Sequence, residues 1–131
     1  MGEKKLGGAG LRGQVAGNTA LSTVGKTGKG LTYRGYAIEE LAEKATFEEV
    51  AYMLLYGSLP TQSEYDAYSE KLKSFRSLPE ALKEVLERIP QTAHPMDVMR
   101  TGCSMLGNLE PEGDFSNQND TADRILASMS S

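Results

Sequence analysis

The sequence predicts an all-α fold, mostly helical, with a small N-terminal β-hairpin. Two observations carry this. Downstream of Ala37, apolar residues recur at helical spacing in one segment after another, each bounded by capping residues, glycine or proline. Upstream, two short β-like runs flank a Gly/Lys-rich turn.

Residues 1–18 carry much of the glycine and read as a flexible arm. Thr19–Val24 and Leu31–Tyr36 then form the hairpin, with Gly25–Gly30 as its loop. Ala37–Ala45 reads as a short helix. Thr46 with Glu49 fits a capping box, and Phe47, Val50, Ala51, Leu54 and Leu55 follow on one face. Gly57 suits the C-cap and Pro60 blocks continuation. Thr61 with Glu64 repeats the box, ahead of a face of Tyr65, Tyr68, Leu72 and Phe75. Pro79 starts a helix carrying Leu82, Val85, Leu86 and Ile89, and His94-Pro95 opens another toward Leu109. In that helix Gly102, Ser104 and Gly107 suggest close helix approach. After a polar loop, Asp120 or Thr121 caps a last helix with Ile125, Leu126 and Met129, and Ser131 falls inside its pattern.

Composition narrows the function. The 131 residues fit one domain, with 39% apolar residues and a net charge of −4. No basic stripe marks a nucleic-acid surface, and no apolar run reaches the length of a membrane span. One cysteine and no signal-like N-terminus fit the cytoplasm. A single histidine rules out a histidine dyad or a metal cluster built on histidines.

Each motif has a bland reading beside the functional one. Ala20–Thr27 matches a relaxed phosphate loop, but a strand-like run follows where the helix N-terminus should stand. Gly8, Gly10 and Gly13 match a dinucleotide fingerprint with no strand before them. His94 reads as a capping histidine and Cys103 as a small core residue. Tyr52, Tyr56, Tyr65 and Tyr68 read as core or interface. Lys71, Lys73 and Arg76 beside Phe75 form a basic strip, a solvated face or a contact for a phosphate or carboxylate.

The series as a whole is specific. Tyr33-Arg34-Gly35-Tyr36 leads into Ile38–Ala42, then Thr46–Tyr52, Leu54–Gly57 and Leu59-Pro60-Thr61, with His94–Thr101 further on. In this order the motifs resemble the N-terminal part of the citrate synthase family, across nearly the whole chain. Val15–Gly25 resembles its 2-methylcitrate synthase branch.

The resemblance implies that residues 19–131 are the N-terminal part of a helical large domain, truncated within its last helix. It implies a homodimer that condenses oxaloacetate with propionyl-CoA to 2-methylcitrate and CoA, with acetyl-CoA as a weaker donor, and that needs no cofactor or metal. The family's catalytic histidines and aspartate lie downstream of this chain, so no catalytic residue is carried over, and His94 belongs to a different motif. Lys71 and Lys73 are the substrate-contact candidates. The alternative is a helical dimerisation or interaction module without catalysis, which exposed Ile125, Leu126 and Met129 would favour.

Overall fold

A computed structural model describes residues 15, 17–25, 30–129 and 131. Most of the arm expected over residues 1–18, including Gly8, Gly10 and Gly13, lies outside the described residues, as do Lys26 and Thr27 of the phosphate-loop match. The chain divides into two compact units, Met1–Thr46 and Phe47–Ser131.

In the first unit, β1 (Ser22–Thr23) pairs antiparallel with β2 (Thr32–Tyr33), placing Ser22 opposite Tyr33 and Thr23 opposite Thr32. The expected hairpin is therefore present. The second run does not stay extended, however. It folds back at Arg34 and Gly35, and β3 (Tyr36–Ala37) pairs with β2 to make a three-stranded sheet. Both turn residues have positive φ, 45° at Arg34 and 93° at Gly35. A tight two-residue hairpin turn asks for this backbone, and glycine supplies half of it without steric cost. Helix α1 (Ile38–Lys44) follows, with Glu39 and Glu40 in its first turn, Lys44 in its last, and Leu41 buried.

The second unit is helical. Helix α2 (Phe47–Tyr56) buries Ala51 and Met53 and ends at Gly57, whose N–H donates to the Met53 carbonyl at 2.9 Å with φ +106°. Helix α3 (Gln62–Ser74) carries the full capping box. The Glu64 N–H donates to Thr61 Oγ1 at 3.4 Å, and the Thr61 N–H donates to Glu64 Oε2 at 2.7 Å. Helix α4 (Glu80–Glu87) starts after Pro79 and buries Leu82. Helix α5 (Pro95–Leu109) buries Leu106 and packs on α4.

Close helix approach is not what the glycines of α5 provide. A Cβ at Gly102 would stand 3.6 Å from Leu86 Cδ2, an ordinary contact, and one at Gly107 would meet nothing within 4 Å.

The last helix also starts earlier than its sequence suggests. Asp114 accepts the Ser116 N–H at 2.8 Å and opens a 3-10 turn, Phe115–Asn117, which runs directly into α6 (Gln118–Ser128). Asp120 thus lies inside the first turn instead of capping it. The core joins three helices: Ala51 of α2, Tyr68 and Leu72 of α3, and Ala127 of α6, with Tyr52, Phe75 and Leu126 packed against them. Among the described residues no helix is long and apolar enough to cross a membrane.

Candidate functional site

The strongest concentration of charge and hydrogen bonding sits where α2, α3 and α6 meet. Asp123 of α6 is fully buried. Its Oδ1 accepts the Tyr68 hydroxyl at 2.9 Å. Its Oδ2 accepts the Tyr56 hydroxyl and also the Lys71 ammonium, the latter at 2.6 Å. Lys71 Nζ reaches Asp120 Oδ1 at 2.7 Å, and stands 3.5 Å from the Tyr56 hydroxyl. The tyrosine rings pack on one another: Tyr52 stacks on Tyr56 at 4.7 Å, and Tyr68 meets Tyr52 edge-on at 5.2 Å.

Helical spacing builds this cluster. Tyr52 and Tyr56 are one turn apart on α2, Tyr68 and Lys71 one turn apart on α3, and Asp120 and Asp123 one turn apart on α6. Burial would lower the Lys71 pKa, but its hydrogen bonds to Asp120 and Asp123 outweigh that and hold it above its ordinary value. Burial, reinforced by the bond to Asp123, pushes the Tyr68 hydroxyl up as well. Tyr56 is raised for the same reasons.

Chemically, the cluster is a clamp. Both Asp123 oxygens are occupied, and the Lys71 charge is held by two carboxylates. A carboxylate so engaged is not free to take a proton from a substrate.

A second hub stands beside it. Arg124, on the next position of α6, grips Glu110 through Nε at 2.8 Å and Nη2 at 2.9 Å. It also donates to the backbone carbonyls of Phe75 and Ser77 and to Ser128 Oγ. The pair is a two-pronged guanidinium–carboxylate contact, and it holds the Glu110 carboxyl below its usual range.

The basic strip is thus divided by the structure. Lys71 faces α6. Lys73 pairs with Glu70 at 2.7 Å on the exposed side of α3, and Arg76 is exposed as well. Of the tyrosines, Tyr68 is buried in the core with Tyr52 packed against it, Tyr56 joins their ring cluster while partly exposed, and Tyr65 stands outside that aromatic group. His94 caps α5, its Nδ1 accepting the Met96 N–H at 3.2 Å. Cys103 lies half-buried, its Sγ 4.0 Å from Met129 Sδ, in an open apolar groove of about 260 Å³ between α4, α5 and α6. Leu126 is packed against the core and not exposed, whereas Ile125 and Met129 are 41% and 42% exposed. Among the described residues no group of three or more His, Cys, Asp or Glu is arranged to hold a metal ion.

Sequence reasoning missed Asp123, Arg124 and Glu110, and read Asp120 only as a helix cap. One signal was present. Asp123 precedes Leu126 and Ala127 by three and four positions, so an acid occupies the apolar stripe of α6.

The fold matches solved citrate synthases. A ternary complex of citrate synthase from Thermoplasma acidophilum with carboxymethyl coenzyme A and oxaloacetate superposes with a TM-score of 0.83, over 92% of this chain and 32% of that one, at 24% identity. Citrate synthase from Thermotoga maritima gives a TM-score of 0.77 at 34% identity, over 91% of this chain and 31% of that one. The family model described as citrate synthase, C-terminal domain, matches residues 10–131. The chain belongs to the citrate synthase family.

Within that family it is 70% identical over 128 residues to a 2-methylcitrate synthase of Shewanella oneidensis, covering 98% of this chain and 34% of that protein. A citrate synthase of Mycolicibacterium smegmatis is 39% identical over 118 residues, which is 90% of this chain and 30% of that protein. The chain thus spans about a third of the length of the relatives it matches.

Proposed function

We propose that this chain is the N-terminal part of a 2-methylcitrate synthase, with residues 19–131 belonging to its large domain. The whole enzyme condenses propionyl-CoA with oxaloacetate to give 2-methylcitrate and CoA, and accepts acetyl-CoA as a side reaction. It acts in the cytoplasm as a homodimer. The observation that carries this reading is the 70% identity to the Shewanella oneidensis 2-methylcitrate synthase across almost the entire chain. The mycolicibacterial citrate synthase stands much further away, at 39%.

Within such an enzyme this segment is scaffold. Its buried polar groups hold helices together and carry no step of the condensation, so the 131-residue chain alone is inert. Of the two lysines, Lys73 has the exposure to meet an anionic substrate, while Lys71 secures the helix behind it.

The test is a transplant. The matching segment of the Shewanella oneidensis enzyme is replaced by this chain, and thiol release from propionyl-CoA and acetyl-CoA is followed with oxaloacetate present. The chimera retains the parent's preference for propionyl-CoA, and a switch to acetyl-CoA would refute the branch assignment. Turnover by the 131-residue chain alone would refute the scaffold role. Lys73→Ala in the chimera raises a Michaelis constant without altering the urea midpoint; two unchanged Michaelis constants would end its candidacy.

A second reading has one observation behind it. Ile125 and Met129 are exposed beside the apolar groove, as a helical interaction module would require. Light scattering after size exclusion separates the two. A stable dimer of the chain alone, with an inactive chimera, favours the module.

A further inference from the structure

The Asp123 cluster raises a physical question of its own. A carboxylate and an ammonium taken out of water are weak sources of net stability, because desolvation offsets their attraction. Their best-attested use is to fix register between helices. We propose that the cluster is a register lock, which determines the turn of α6 that seats on α2 and α3.

The argument rests on what competes. The face of α6 toward the core is Asp123, Leu126 and Ala127, and Met129 follows Leu126 by three. Side chains three apart lie on adjacent turns of one face. Sliding α6 by three residues, ~4.5 Å along its axis, puts Leu126 on the seat of Asp123 and Met129 on the seat of Leu126. Apolar groups then land mostly on apolar seats.

Two seats object, that of Asp123 and that of Arg124. The buried Tyr68 hydroxyl would face a leucine and lose its acceptor, the partly exposed Tyr56 hydroxyl would lose its bond to Asp123, and Ala127 on the seat of Arg124 would leave Glu110 without its guanidinium. The opposite slide brings Asp120 to the Asp123 seat. It also drives Asp123 and Arg124 onto the seats of Leu126 and Ala127, where neither charge has a partner. The aspartate therefore blocks one slide through its polar seat and the other through its own charge. With Asp123→Leu the core-facing stripe would be apolar at every turn, a leucine ahead of Leu126 and Met129, and only the Arg124–Glu110 pair beside it would still distinguish the turns.

The chain contains a reporter of this register. Cys103 Sγ lies 4.0 Å from Met129 Sδ in the native seating, so Met129→Cys creates a thiol pair that a short bifunctional thiol reagent bridges within one molecule. A three-residue slide carries position 129 away from Cys103. The experiment compares bridging in the 131-residue chain carrying M129C alone, with D123N, and with the apolar set Y56F, Y68F, K71M and D123L.

The apolar set remains helical and unfolds cooperatively, but its bridging yield falls by about fivefold or more as the slid register becomes populated. Asp123→Asn retains an acceptor for the tyrosines and bridges at the parental yield. Parental bridging in the folded apolar set overturns the proposal. So does failure of that set to fold, since the cluster would then be a source of stability and not of register. Loss of bridging in D123N overturns it as well, because the polar seat would not then suffice.

Discussion

Asp123 accepts from two hydroxyls and an ammonium while fully shielded from water, so the consequences of changing it depend on what remains behind. Truncation to alanine strands the Tyr56 and Tyr68 hydroxyls and removes the buried partner of Lys71. We expect Asp123→Ala to lower the unfolding free energy by about 2–4 kcal/mol, the range for leaving buried polar partners unmatched. Urea denaturation followed by circular dichroism measures it, and an unchanged midpoint would contradict the clamp. The same cluster sets an alkaline limit. Tyr68 is raised above its ordinary value of 10.0, first by burial and then by its bond to Asp123. Burial acts to lower Lys71, but its carboxylate bonds prevail and raise it above 10.5. Both groups keep their protons in the folded chain at pH values where the unfolded chain has released them. Their contribution is complete below the unfolded values and is lost as pH rises through the folded ones. The urea midpoint should therefore decline as pH rises above about 10, and Tyr68→Phe should make that decline shallower. A midpoint that rose above about pH 10 would reverse the assigned sign.

Helix ends are where local sequence acts most directly, and α3 tests it. Its first turn is closed by Thr61 and Glu64, each supplying an acceptor to the other's N–H. Thr61→Ala removes one of these acceptors and should cost about 1 kcal/mol, while Thr61→Ser retains it. Equal thermal midpoints for the two variants would mean the box carries no weight. Such signals made the helices legible. Thr61, Gly57, Pro79 and His94-Pro95 mark their boundaries because a cap is decided by a few adjacent residues. The third strand was not legible, since Leu31–Tyr36 carries the residues of one extended run and the reversal occurs at Arg34, an uncommon residue for positive φ. The start of α6 was missed for a related reason. Asp114 caps a 3-10 turn that merges with the helix, so the cap stands four residues ahead of the first α-helical position. The clamp was hidden because its partners come from three helices. Periodicity marks Asp123 as misplaced on an apolar face, but nothing local says that Tyr56, Tyr68 and Lys71 converge on it.

At the scale of the molecule, the division at Thr46 and Phe47 separates two different kinds of structure. The first unit holds the short sheet and α1, where Leu41 is buried. The second contains the packed helices. Its core cluster of Ala51, Tyr68, Leu72 and Ala127 lies within Phe47–Ser131, as do the buried Met53, Leu82 and Leu106. The partners of Asp123 and the Arg124–Glu110 pair fall in the same range. Deleting residues 1–46 removes none of these contacts. The polypeptide 47–131 should therefore unfold as one cooperative transition, with a urea midpoint close to that of the 131-residue chain. Asp123→Ala should lower the midpoint equally in both, because sites without shared partners act additively. A broad, non-cooperative transition in 47–131 would show that the helical unit depends on the first unit for its packing. An effect of Asp123→Ala confined to the longer chain would show that the clamp itself does.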